Sequence, residues 1–265
     1  MCRLLAIASA DETTVAQALG AAQLGEFTEL SRFHDDGWGA AWTRDDGTVA
    51  TIHGVDEAGL DERYWRFVDS QYSKGIMIHL RWASKGMAVA PENSHPFRSH
   101  GTAMIHNGNI APAKQMESML DPESLRELRG GTDSERYFAY ILQCARREGD
   151  FEAGLARAVS DMKHAYPGHS LNAMLMREDR IYVVNVHEGA TFDLSHDPEK
   201  LDGPIPWQHD PSNYYPLEMQ WRGTSLIVAS TGIRDGDWRR LPQESILVID
   251  TKQGIPTIHT LQEGI

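Results

Sequence analysis

Cys2-Arg3-Leu4-Leu5-Ala6-Ile7-Ala8 is a short run, apolar apart from Arg3, and it reads as a strand at the very start of the chain. Outward from it, Asp11 is a plausible N-cap for an alanine- and leucine-rich helix over residues 13–24. Further strand-like runs cover residues 38–43, 49–53, 75–81 and 102–106, each bounded by Gly, Asp or Pro, with a helical stretch at 59–69 among them. In mid-chain, Tyr137, Phe138, Ile141, Leu142 and Ala145 recur at helical spacing within 132–149, and residues 151–164 repeat the pattern. Strand signals return at 171–176 and 180–186, a hairpin across Arg177-Glu178-Asp179, and then at 225–229, 245–249 and 256–260. Strands come in groups with the helices grouped apart, which favours an α+β fold over a doubly wound parallel sheet. With no internal repeat and no low-complexity linker, residues 1–265 are expected to form one domain. The exception is a long, polar, aromatic-bearing loop at 188–223, a length that usually marks function.

Composition narrows the function. The 265 residues are 41% hydrophobic and 24% charged, as in a globular protein, and the net charge is −13. Phosphate backbones need clustered Lys and Arg, yet the densest basic patches are the pairs Arg146-Arg147 and Arg239-Arg240, so no nucleic-acid partner is expected. No apolar stretch reaches the roughly 20 residues of a membrane span, and no secretion signal opens the chain, so a cytoplasmic protein without a membrane partner is expected. Two cysteines, Cys2 and Cys144, cannot build a disulfide framework, and no Cys or His spacing suggests a metal site.

Four pieces of sequence carry chemistry. Removal of Met1 would give Cys2 a free α-amine, whose reference pKa of about 7.7–8.0 lets it accept the thiol proton, so nucleophile and base occupy one residue. Taken alone, Cys2 reads first as a small buried residue of a strand. Asn107-Gly108 ends a strand with a side-chain amide beside an accessible backbone N–H, two donors suited to an oxyanion, each worth about 3–4 kcal/mol in other hydrolases. The same pair is also the commonest two-residue hairpin turn. Arg81 closes a strand, where its planar guanidinium can grip a carboxylate or make a surface ion pair. Asp133 opens a helix, placed to take an ammonium group, while Thr132 and Glu135 around it form a capping box.

In this order along the chain, the motifs resemble the class II glutamine amidotransferases of the N-terminal-nucleophile hydrolase superfamily. The matching segments are Met1-Cys2, Asp36-Gly37-Trp38-Gly39, Arg81-Trp82-Ala83-Ser84, Asn93-Ser94-His95-Pro96, His106-Asn107-Gly108 and Thr132-Asp133-Ser134-Glu135. They cover the first half of the chain closely and the rest as a pattern of strands. The resemblance implies a four-layer αββα sandwich with two antiparallel sheets inside. It implies Cys2 as nucleophile, Asn107 and Gly108 as oxyanion donors, and Arg81 and Asp133 as the clamp on a glutamine-like substrate. Trp82 and Ser84 stand beside the clamp as further substrate-binding positions, although Trp38 and Trp82, flanked by small residues, read first as packing anchors. Ser84 and Lys85 depart from the Thr-His of the sugar-phosphate-aminating members, and His95 either touches the site or makes a structural hydrogen bond.

The mechanism implied is thiolate attack on a γ-glutamyl amide, release of the amine, and hydrolysis of the thioester, with no metal or organic cofactor. The expected partner is glutamine or a γ-glutamyl small molecule. The chain length leaves no room for a fused synthase, so ammonia would pass to a separate synthase subunit. Alternatively, the chain is a γ-glutamyl peptide or thiol hydrolase, as in glutathione breakdown or ergothioneine synthesis. A third expectation, with Met1 retained and the α-amine tied up, is a silent binding or regulatory subunit. Acceptor specificity is expected in the loop at 188–223.

Overall fold

Side-chain alternation settles how the opening strand is used, because successive residues of a strand face opposite sides. In the computed structural model, which describes residues 2–84, 86–191, 207–252 and 254–263, Leu4, Ala6 and Ala8 pack on one side of the first strand and Leu5 and Ile7 on the other. The elements run β1 (Arg3–Thr13), α1 (Val15–Glu29), β2 (Trp38–Thr43), β3 (Val49–Gly54), α2 (Glu62–Ser70), β4 (Ser73–Leu80), β5 (Phe97–Ser99) and β6 (Thr102–Asn107). There follow α3 (Pro122–Glu127), α4 (Asp133–Glu148), α5 (Phe151–Ala165), β7 (Asn172–Arg177), β8 (Arg180–Asn185), α6 (Pro211–Tyr214) and β9 (Leu217–Arg222). The last four are β10 (Ser225–Ser230), β11 (Arg239–Arg240), β12 (Ser245–Asp250) and β13 (Thr257–Glu263).

These strands form two antiparallel sheets, ordered β11-β9-β10-β1-β4-β2-β3 and β13-β12-β8-β7-β6-β5. Three apolar layers account for the sandwich. Leu4, Ala6 and Met77 meet Ala103, Ile105 and Met174 between the sheets. Leu5, Ile7, Ile76 and Ile78 face Leu19, Phe27 and Phe67 of α1 and α2. Met104, Leu175 and Val184 face Tyr137, Ile141 and Leu155 of α4 and α5. The result is the expected αββα order, held by side chains each worth about 1.5–3 kcal/mol when fully buried. No helix among the described residues is long and apolar enough to cross a membrane.

Several boundaries differ from the sequence expectation. Asp11 does not cap the first helix: β1 runs on through it, Thr13 pairs with Ser73, and α1 begins at Val15. Thr14 and Gln17 make a reciprocal capping box there, satisfying two helix-end groups where Asp11 would satisfy one. The helix expected at 59–69 is a 3-10 turn, Ala58–Leu60, followed by α2, because Asp61 caps α2 by accepting from Arg63 N–H at 2.8 Å. Asn107-Gly108 is not a hairpin turn; Asn107 ends β6 opposite Asn172 of β7. Only half of the Thr132–Glu135 capping box forms: Thr132 accepts from Glu135 N–H, while the Glu135 carboxylate takes the N–H groups of Arg129 and Gly130. Within the loop expected at 188–223, residues 207–214 hold a 3-10 turn and α6, and 217–222 are β9, paired with β10. Residues 192–206 of it lie outside the described residues, as does Lys85.

Candidate active site

The pleat brings the site together. Cys2 precedes Leu4 with the same parity, so its side chain points between the sheets, as do His79 and Arg81, which follow Met77 of β4. On the facing sheet, Asn107 follows Ala103 and Ile105 and points back toward them. All four lie where the ends of β1, β4 and β6 coincide. The Cys2 backbone N–H donates to Asn107 Oδ1 at 2.9 Å, and the Cys2 sulfur lies 3.9 Å from the Trp82 carbonyl oxygen. Asn107 is fully buried, and its Nδ2 has no hydrogen-bond partner among the described residues. An orphaned buried amide donor is costly unless something visits it.

Gly108 is glycine for want of room. A β-carbon there would stand 2.1 Å from the Ser170 carbonyl oxygen and 2.5 Å from His106 Nε2. Gly39 answers the same constraint on the other wall, where a β-carbon would meet the His95 carbonyl oxygen at 2.0 Å.

Arg81 is buried, with its guanidinium donating to the Asp36 carbonyl at 3.3 Å and the Ala88 carbonyl at 3.2 Å. Among the described residues it meets no carboxylate in an ion pair, so its charge is unspent. Asp36 orients this corner further, its carboxylate accepting from Ala83 N–H at 2.8 Å. Across the cavity Asp133 is the first residue of α4; its Oδ2 accepts from Ile110 N–H at 2.6 Å, leaving Oδ1 toward Ser134. Cys2, Arg81, Trp82, Ser84, Gly108 and Asp133 all line one cavity of about 30 Å³. That volume holds a water-sized occupant, so a glutamyl side chain enters only as the walls part. Trp38 and Trp82 are both buried. The Trp38 indole N–H donates to Asp61 at 2.9 Å, and the Trp82 ring stands edge-on to His34 and His209.

A histidine layer supports the thiol, and spacing alone does not point to it. His79 Nε2 donates to the His106 carbonyl at 3.3 Å, and its ring lies 4.1 Å from that of His95, which is buried with neither ring nitrogen partnered among the described residues. His106 donates to the Ser170 carbonyl and accepts from the Ser134 hydroxyl. Burial depresses the pKa of both His95 and His106, so both rings are neutral near pH 7. The motif Asn93-Ser94-His95-Pro96 was the available pointer to His95, and the parity of β4 to His79.

Burial by itself would raise the Cys2 pKa. The positive charge at the chain terminus and the neighbouring His79 outweigh it, leaving a value of about 6. The thiolate is the reactive form, so alkylation by iodoacetamide is expected to rise with pH through about 6 and to level off above it. An ordinary thiol reaches half its plateau rate near pH 8.5. Mass spectrometry of the labelled peptide checks this, with Cys2→Ala as blank; a midpoint near 8.5 contradicts it. Cys144, pushed up by burial in the α4 face, contributes little.

Comparison with known proteins agrees with this geometry. The family profile described as "Glutamine amidotransferases class-II" matches residues 1–195. A curated relative, glutamine–fructose-6-phosphate aminotransferase (isomerizing) of Rhizobium leguminosarum bv. viciae, is 27% identical over 181 residues, 68% of this chain and 27% of that protein. The "Probable glutamine amidotransferase DUG3" of Saccharomyces cerevisiae is 25% identical over 204 residues, 66% of this chain and 56% of that one. The chain therefore spans only part of these relatives' lengths. Among solved structures, a glutamine aminotransferase class-II domain protein of Silicibacter pomeroyi matches with a TM-score of 0.62 and 19% identity, over 98% of this chain and 99% of its own. The glutamine phosphoribosylpyrophosphate amidotransferase of B. subtilis matches with 0.63 and 18%, over 100% of this chain and 50% of that one. Because the profile spans well over half of the sequence and the sandwich is the same, the chain belongs to the class II glutamine amidotransferases, enzymes of the N-terminal-nucleophile hydrolase type.

Proposed function

We propose that the chain hydrolyses a γ-glutamyl amide, with glutamine as the donor, through a Cys2 freed of Met1. The observation that carries this is Asn107: its Oδ1 holds the Cys2 nitrogen at 2.9 Å while its buried Nδ2 is left unpartnered. The Cys2 thiolate attacks the side-chain carbonyl, and the negative charge gathers on an oxygen that Asn107 Nδ2 and Gly108 N–H receive. The C–N bond then breaks, the amine leaving with the proton held by the Cys2 α-ammonium. Water attacks the resulting thioester and the α-amine takes its proton, so glutamate departs and the thiolate returns. Arg81, its charge unspent, receives the α-carboxylate, and Asp133 the α-ammonium. Glutamine as donor has support from the names of both curated relatives. One domain over the whole chain and a cytoplasmic setting remain parts of this proposal.

Ammonia and glutamate release from glutamine, γ-glutamyl-cysteine and γ-glutamyl-alanine tests the leaving group. Glutamine turnover at least about tenfold above either dipeptide in kcat/KM is expected. The reverse order would make the chain a γ-glutamyl peptide hydrolase. No turnover of any of them, by protein whose intact mass shows Met1 removed, overturns hydrolysis altogether.

A further inference from the structure

Residues 91–96 form a wall with two occupied sides. Asn93 and His95 line the catalytic cavity, whereas Glu92, Ser94 and Pro96 line a second, larger concavity of about 550 Å³ on the other side. That volume falls in the range of small-molecule sites. Its floor is apolar, made by Phe97, Leu128, Phe138 and Leu142. Its rim carries Arg98, Arg126 and Arg129, all exposed, and among the described residues none of them makes an ion pair or a side-chain hydrogen bond. The acids nearby are already engaged: Glu127 faces His100 at 3.0 Å, and both Glu135 oxygens take backbone N–H groups, at 2.7 and 2.8 Å. Around the concavity three guanidinium groups thus stand among three carboxylates, Glu92, Glu127 and Glu135. On a chain of net charge −13 three arginines outside any ion pair are a local balance of charge, and guanidinium groups suit phosphate oxygens.

We infer that this groove binds a phosphorylated small molecule with an apolar or aromatic body, and that its occupant acts on the glutamyl clamp. Asn93 Oδ1 accepts from Gly131 N–H at 2.9 Å, next to the Arg129–Gly130 backbone that Glu135 holds. Asn93 Nδ2 donates at 3.1 Å to the Ala88 carbonyl, the same oxygen that Arg81 Nη2 reaches at 3.2 Å. Gly130 lies so close to Glu92 and Asn93 that a β-carbon on it would fall 2.5 Å from an oxygen of each. A ligand pressing on Glu92 or Arg129 therefore moves groups hydrogen-bonded, two steps on, to Arg81. This second half rests on Arg81 being the glutamyl clamp.

The probe is phenyl phosphate, titrated calorimetrically into the full chain, with inorganic phosphate and phenol as controls. Saturable binding is expected, at least about tenfold tighter than either control and weakened by salt. Arg126→Gln with Arg129→Gln is expected to weaken it about tenfold or more without changing the unfolding midpoint or the rate of glutamine hydrolysis. Undiminished affinity in the double variant, or no saturable binding, overturns the site; inorganic phosphate binding as tightly overturns the apolar body. For the linkage, the Kd of L-glutamate for Cys2→Ala is expected to shift at least about fivefold under saturating phenyl phosphate. An unshifted Kd overturns the linkage. Phenyl phosphate binding by a chain that takes no glutamate overturns the clamp assignment and leaves the groove standing.

Discussion

Cys2→Ala is expected to lower glutamine hydrolysis by about four orders of magnitude or more, as loss of a covalent nucleophile does elsewhere, with no compensating change in KM. Neither the histidines of the cavity nor the second cysteine replaces it. His95 and His106 are held neutral by burial and are poor nucleophiles toward an amide, and Cys144 lies in the helical layer of the other sheet. The loss would not be an unfolding effect: the side chain is small and its removal costs about 1 kcal/mol or less at the end of a strand. Equal urea midpoints for variant and parent, measured beside the ammonia assay, make that separation. Residual turnover above about 1% of the parent contradicts a covalent role for Cys2.

The strength of this expectation comes from parity, and parity is legible in the sequence. Once Leu4, Ala6 and Ala8 are known to face the second sheet, Cys2 must face it too, and the same count along β4 and β6 sends Arg81 and Asn107 to meet it. The grouped strands and helices likewise pointed to an α+β fold, and the family resemblance to its αββα layers, in which each sheet has one face for its partner sheet and one for helices. Boundaries were less legible. Asp11 and Thr14 are both good N-caps in isolation, and only the pairing of Thr13 with Ser73 decides between them. β9 was hidden because Leu217, Glu218, Met219, Gln220, Trp221 and Arg222 alternate too weakly to stand apart from a polar loop.

In the site, residue types were legible and their partners were not. Asp133 was assigned from what capping left unexplained, and it does line the cavity. Glu135, by contrast, was read as a capping residue, yet its carboxylate serves the backbone of Arg129 and Gly130, six and five residues upstream. The His79–His95 stack joins two segments separated by a loop, and no one-dimensional spacing expresses it. Arg3 is similar: fully buried, it donates to the carbonyls of Gln208 and Tyr214, more than 200 positions away. Those contacts tie part of the stretch expected to be a loop to the residue beside the nucleophile, and Tyr214 and Tyr215 pack with Trp82.

Asn107→Ala is expected to reduce kcat for glutamine by about 10²–10³, near 3–4 kcal/mol of transition-state stabilisation, with KM changed little. Alanine alone is ambiguous, because Asn107 offers two groups: its Oδ1 accepts from the Cys2 N–H at 2.9 Å, and its buried Nδ2 has no partner among the described residues. A loss of kcat would follow whether the missing function were holding the chain terminus or receiving an oxyanion. Asn107→Asp separates them. Aspartate keeps an acceptor for the Cys2 nitrogen, and an anionic acceptor grips an ammonium better than an amide does. It has no donor to offer, and it sets a negative charge where the tetrahedral intermediate would place its own. If Asn107 only anchors the terminus, the aspartate variant should work within about threefold of the parent; if Nδ2 receives the oxyanion, it should be as slow as alanine or slower. Steady-state rates for the three proteins, taken above pH 7 where the aspartate is ionised and Cys2 is a thiolate, decide the matter. An active Asn107→Asp removes the amide from the oxyanion hole and leaves Gly108 N–H to carry the charge alone.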